Sequence, residues 1–275
     1  MNRAAFFASL RGGAMFPQGF TQQQVDGLTN LLDVWEKHYF ADPLNLLAYN
    51  LATAFHETAG TMQPIKERGP VSYFNKYEPG TRLGKVLGNT QKGDGYRFRG
   101  EGHVQNTGRR NAAFASKRLN EVFGLNIDLV KNPEKRDDPL VSAHSLFLGN
   151  KEGWWTGKDL FDYIDDKDER DAEDLREFVN ARRVVNGTDK AEKIGGHALE
   201  FEKALKAAGY APRSVSVSAP VPRPVPAPKP RSDAPVADPG QVPTASKGAK
   251  VLVASIVAAA AAVGAWFSDH FQGWF

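Results

Sequence analysis

DPLNLLAYNLATAFHETAG, residues 42–60, is the stretch on which the reading of the fold turns. Asp42 followed by Pro43 predicts a helix start, a cap with proline in the first helical position. Leu44, Leu47, Leu51 and Phe55 recur at helical spacing, and Gly60 predicts the stop. Glu57 then falls in the last helical turn, after His56. Just upstream, Thr21 and Gln24 are spaced as a capping box. They open a predicted helix from Gln22 to Tyr39, with Val25, Leu28, Leu32, Trp35 and Tyr39 on one face. Each of the two predicted helices has one apolar face to bury.

Downstream, residues 61–99 are punctuated by Arg68-Gly69-Pro70, Glu78-Pro79-Gly80 and Gly93-Asp94-Gly95, which predict a long irregular connection holding a short hairpin. Long loops on a rigid scaffold usually carry function. Helices are then expected near 109–123, 138–150, 159–165, 171–183 and 189–208. The last places Ile194, Ala198, Phe201 and Leu205 on one side and stops at Gly209. Residues 1–210 form the expected catalytic domain. Ten of the 17 prolines lie in residues 211–246, a stretch without one aromatic residue, which predicts a disordered linker. Residues 247–275 contain an uncharged, alanine- and valine-rich run from Val251 to Phe267, expected as a C-terminal apolar helix spanning a membrane. Its ~25 Å length is a little short for a bilayer core, and an interfacial or partner-binding helix is the alternative. Lys247 and Lys250 before it place the catalytic domain on the cytoplasmic side. Met1 to Leu10 lacks a sustained apolar run, so no cleaved signal peptide is expected.

Composition excludes several chemistries. With no cysteine there is no disulfide framework, thiolate metal site or cysteine nucleophile. A formal charge of +3, from 35 basic and 32 acidic residues, is too balanced for a nucleic-acid binder. His56-Glu57 lacks the second histidine of a zinc protease, since Gly60 stands there, so neither metal nor cofactor is expected. No phosphate loop or serine elbow is present. Hydrolysis by carboxylates remains, and glycoside hydrolysis needs a protonated carboxyl and a second carboxylate. Glu57, beside the core and the negative end of a helix dipole, suits the acid. Glu67, flanked by Lys66 and Arg68, suits the base, with Glu78 in reserve. A glutamate by itself is far more often a solvated surface charge, so spacing alone does not decide the matter.

The motifs His56-Glu57-Thr58-Ala59-Gly60, Lys66-Glu67-Arg68-Gly69, Arg97 through Asn111 (RFRGEGHVQNTGRRN) and Val184-Val185-Asn186-Gly187 resemble, in order, those of glycoside hydrolase family 19. That family includes chitinases and bacteriophage endolysins, and the resemblance spans roughly residues 20–208. It implies a lysozyme-like, two-lobed helical fold that cuts β-1,4 bonds beside N-acetylated sugars with inversion and without a metal. It also implies that Glu57 is the general acid, Glu67 the general base and Thr107 a holder of the attacking water. Gln105, Asn111 and Asn186 would line the cleft, and His56 would neighbour the acid. Tyr96 and Tyr73, in the cleft-forming loops, are further candidates for sugar contact. Two departures stand out: Glu101 replaces the arginine of a Gly-Arg-Gly, and the arginine usual near the last helix is missing around Lys193 and Ile194. Trp154 and Trp155 are expected in the core. His103 and His144 are expected to be structural, and the acidic run Asp165 to Asp174 to be solvated.

The expected function is an endolysin, monomeric, in the cytoplasm or at the inner membrane of a host bacterium, hydrolysing peptidoglycan and lysing the cell. A chitinase and an inactive, membrane-anchored glycan-binding protein are the alternatives.

Overall fold

A computed structural model describes residues 1–165, 167 and 170–212. The expected linker and membrane segment lie outside the described residues. Among those described, no helix is long and apolar enough to cross a membrane.

The chain is mainly helical. In order, α1 (Arg3–Leu10), α2 (Gln22–His38) and α3 (Leu44–Glu57) lead into an irregular region holding β1 (Ile65–Lys66), a 3-10 turn (Val71–Tyr77), α4 (Arg82–Val86), α5 (Asp94–Arg97) and β2 (Glu101–Gly102). Then come α6 (Arg109–Phe123), a 3-10 turn (Pro133–Asp137), α7 (Pro139–Glu152), a 3-10 turn (Leu160–Asp162), α8 (Asp171–Ala181), a 3-10 turn (Arg182–Val184) and α9 (Ala191–Ala207).

The centre is α3, where every residue from Asn45 to Ala54 is buried. A helix buried all round has no polar face and must sit inside a ring of others. It packs mainly against α9, with α7, α2 and α8 also touching it. One buried polar side chain on it is fully engaged. Asn50 donates to the carbonyl of Leu46 and accepts from Asn150 of α7 (2.9 Å), whose own oxygen accepts from the Trp155 indole. Trp154 and Trp155 pack against the core as expected.

The Thr21–Gln24 capping box forms in both directions. Asp42 does not cap α3. Pro43 occupies the N-cap position with extended backbone and no side-chain cap, while the Asp42 carboxylate pairs with Lys151 of α7 at 2.6 Å. An ion pair within the fold displaces the local cap. At the other end α3 stops at Glu57, and Gly60, with φ of 78°, sends its N–H back to the Phe55 carbonyl.

The N-terminal residues form α1, whose Phe6 stacks on Phe201 of α9, and the Met1 amino group before it pairs with Glu36. Two expectations need correction. The only regular strand pairing among the described residues is not a hairpin within 61–99 but a long-range antiparallel ladder, with Ile65 opposite Gly102 and Lys66 opposite Glu101. The acidic run is not uniformly solvated, because Asp174 is fully buried in α8.

Candidate active site

Glu57 is delivered by the C-terminal end of the buried helix α3, and its carboxylate meets a buried cation. Arg182, from the 3-10 turn after α8, donates Nη1–H to Glu57 Oε1 at 2.8 Å, while its Nε–H holds the Asp189 carbonyl. Only 3% of the Arg182 side chain and 15% of that of Glu57 is exposed, so this pair is largely shielded from water. The Asn186 amide donates to the Arg182 carbonyl, and the Asn186 side chain accepts from the N–H of Gly187. His56 lies in the same field, and its pKa is lowered. Burial is the main cause; Glu57 opposes it and Arg182 reinforces it. Glu57 meets the Arg182 guanidinium with His56 within its field, while Asn186 is tied to the Arg182 backbone. The sequence reading missed Arg182 and looked for a cation near Lys193. The available signal was Arg182-Arg183 immediately before Val184-Val185-Asn186-Gly187.

Glu67 is organised by the β ladder. Its N–H donates to the Gly100 carbonyl at 2.8 Å, and the Gly100 N–H returns to Glu67 Oε2 at 3.1 Å. The Tyr77 hydroxyl lies 3.4 Å and Lys76 Nζ 3.9 Å from Oε1. The side chain is only 5% exposed. Burial raises its pKa, and the Gly100 N–H, Lys76, Tyr77 and Arg99 offset this only in part. Lys66 and Arg68, expected to lower this pKa, do not: adjacent side chains along an extended segment diverge, and neither cation pairs with the carboxylate. Lys66 pairs with Asp137 at 3.2 Å, and Arg68 is exposed.

Gly100 sets the distance between Glu67 and the next group. A Cβ there would lie 2.7 Å from Gln105 Oε1 and 3.3 Å from the Thr107 hydroxyl, so the absence of a side chain lets Gln105 and Thr107 close over the backbone that holds Glu67. Gln105 adopts left-handed backbone and donates to the carbonyls of Ile65 and Gly102. The Thr107 hydroxyl donates to the Gln105 carbonyl at 2.8 Å, and Asn111 donates to the Thr107 carbonyl from one turn further on. Tyr96 is exposed, with the Arg99 guanidinium 4.2 Å from its ring centre. An open cleft of about 480 Å³ is lined by Glu67, Arg68, Tyr96 and Arg99 among others, but not by Glu57. The predicted residues thus fall into two groups, one around Glu57 and one around Glu67. Among the described residues no hydrogen bond or ion pair joins them.

The reserve carboxylate is otherwise engaged. Glu78 accepts from the N–H of Gly93 at 2.7 Å and of Gly95 at 2.9 Å, which fastens α5 to the preceding turn. Tyr73 lies under Lys76. His103, fully buried between Ser142 and the Met62 carbonyl, and His144, against Tyr39 and Phe123, are structural; burial pushes both down to about 4. No three His, Asp or Glu side chains among the described residues converge as metal ligands do.

The raised pKa of Glu67 has a consequence for stability. A carboxyl that binds its proton more tightly when folded favours the folded state below its unfolded pKa, and that contribution is lost as pH rises through the folded pKa. At neutral pH the buried charge is therefore a net cost. Glu67→Gln is expected to melt above the parent at pH 7 by about 2–4 °C, the shift that roughly 1 kcal/mol produces at this size. Melting curves at pH 7 and pH 4 check this, since the gap should close as the parent carboxyl protonates.

No protein-family model matches the chain, and no curated protein matches it in sequence. Among solved structures, it is similar to a crystal structure of a chitinase C mutant, with 17% identity over 77% of each chain and a TM-score of 0.45. A likeness at that level decides neither family nor site, so the motif resemblance rests on the residues themselves.

Proposed function

We propose that the protein is a glycoside hydrolase that cuts β-1,4 bonds of N-acetylated glycans, with peptidoglycan strands as its substrate, using Glu57 and Glu67 as an acid/base pair. The observation that carries this reading is Glu67: a carboxylate almost wholly buried, yet lining an open cleft and held by Gly100, against which Gln105 and Thr107 close. Burying a charge is costly, and a cleft wall is where that cost has a catalytic use. A raised pKa makes a carboxylate the stronger base, so Glu67 is suited to draw a proton from water. Thr107, whose proton is engaged by the Gln105 carbonyl, has its oxygen lone pairs left to accept from that water. Glu57 donates to the leaving oxygen, and Arg182 stabilises the carboxylate that the donation leaves behind. Inversion follows from attack by water rather than by the second carboxylate.

One observation favours a second assignment within the same reaction. Burial raises the pKa of Glu67, as suits a proton donor, while Glu57 faces the buried Arg182 guanidinium, which would make Glu67 the acid and Glu57 the base. Substrates with activated aryl leaving groups separate the two, because they need no proton donor. Whichever Gln variant keeps its rate on such a substrate has lost the acid. The reaction itself is tested by release of reducing ends from purified sacculi and from chitin oligomers. Binding without product from either, at any pH from about 4 to 8, would leave a glycan-binding protein instead.

A further inference from the structure

The cleft beside Glu67 has a cationic wall. Lys66, Arg68 and Arg99 line it with Tyr96, opposed by Glu67 and Asp137. These charges are not equivalent. Lys66 and Asp137 neutralise one another at 3.2 Å. Arg99 is committed to the protein: its Nε–H holds the Glu67 carbonyl at 3.1 Å, its Nη1–H holds the Tyr96 carbonyl at 2.8 Å, and its plane lies over the Tyr96 ring. Arg68 alone among these cations has no hydrogen bond or ion pair within the described residues, and it is exposed on the residue next to the buried carboxylate.

A guanidinium offers paired N–H donors in the plane that a carboxylate fills. A neutral N-acetylated glycan has only hydroxyl and amide groups, and would leave those donors to water. From the surplus guanidinium and its place at the cleft rim we infer that this cleft selects an N-acetylated glycan bearing a carboxylate, and that Arg68 is the residue that grips the carboxylate. The inference rests on the proposed reading of the cleft as a glycan site. The carboxylate has two chemical sources: a lactyl ether on the sugar itself, or the peptide attached to that ether.

The test is equilibrium binding to the full chain carrying Glu57→Gln, so that no probe is consumed. Three probes serve: the neutral N-acetylglucosamine disaccharide, the N-acetylglucosaminyl–N-acetylmuramic acid disaccharide with its lactyl carboxylate free, and the same disaccharide carrying its peptide. The charged probes are expected to bind more tightly. Adding Arg68→Gln should cut the preference for charged over neutral probe by about tenfold, the value of one charge-assisted contact, whereas Lys117→Gln on exposed α6 should not. Loss confined to the free-lactyl probe assigns the sugar carboxylate, and loss confined to the peptide probe assigns the stem. The inference is overturned if Arg68→Gln weakens all probes equally, if the neutral probe binds best, or if none binds. Turnover by the parent is scored separately: charge-selective binding without hydrolysis sinks the hydrolase and leaves this inference standing, and hydrolysis indifferent to Arg68 does the opposite.

Discussion

Glu57→Gln is expected to slow glycan hydrolysis by about 10²–10⁴-fold, the range that a positioned proton donor contributes. The substitution keeps shape and an oxygen acceptor, so the Nη1–H of Arg182, now 2.8 Å from Glu57 Oε1, retains a partner, although a neutral one. What disappears is the proton and the negative charge. Because the Arg182 side chain is only 3% exposed, the loss of its counter-charge also costs stability, and a melting curve must accompany the kinetics. A folded variant with parent-like turnover of sacculi would remove Glu57 from the chemistry. Glu67→Gln is expected to be comparably slow, yet more stable at pH 7. Lower activity and higher melting temperature in one variant distinguish a carboxylate held for function from one held for folding.

Helix positions were legible where start and stop signals are local. The Thr21–Gln24 box, Pro139 at a helix start and the glycines after α6 and α7 bound their helices at or near the expected places, and α6 runs over the expected residues. The α1 helix was not legible, because a short segment is stabilised by what it docks on, here Phe201 of α9, and not by its own periodicity. The Asp42 cap was misread for the same kind of reason: Lys151, 109 residues away, outcompetes a local N–H. At the site, residue types were legible and their electrostatics were not. Lys66 and Arg68 adjoin Glu67 in sequence without pairing with its carboxylate, while Lys76, Tyr77 and Gly100 reach it through the turn and the ladder. Sequence adjacency predicts neither burial nor direction in an extended segment. Arg182 shows the complement, a cation 125 residues from Glu57 that only the fold brings to it.

The largest structural effect is expected at Arg136, and it explains the unexpected carboxylate at Glu101. Arg136 is 2% exposed, and its guanidinium donates to four backbone carbonyls: Pro133 at 3.0 Å, Arg99 at 3.1 Å, Asn106 at 2.8 Å and Arg97 at 3.0 Å. Three of those carbonyls, of Arg97, Arg99 and Asn106, bracket Gly100, the residue that holds Glu67 and spaces Gln105 and Thr107. Burial pushes the pKa of Arg136 down to about 10, with Glu101 opposing, so the cation persists at neutral pH. Its counter-charge is Glu101, with Oε2 at 3.3 Å. Where the family resemblance leads one to expect an arginine, this chain brings the cation in from the 3-10 turn before α7 and places the anion on β2. Arg136→Met should then cost about 3–5 kcal/mol, because it orphans four carbonyls and a buried carboxylate together. In a domain of this size that lowers the melting temperature by roughly 10 °C or more. Glu101→Arg, which writes the expected family residue back, should be as damaging, since it sets a second guanidinium against Arg136 and a third charge near Arg99, now 4.0 Å from Glu101. Thermal melts of the two single variants and of Glu101→Arg with Arg136→Glu check the argument: the charge swap should recover part of the loss if pairing is the cause. Equal melting of Arg136→Met and the parent would show that the Gly100 segment is held by other means.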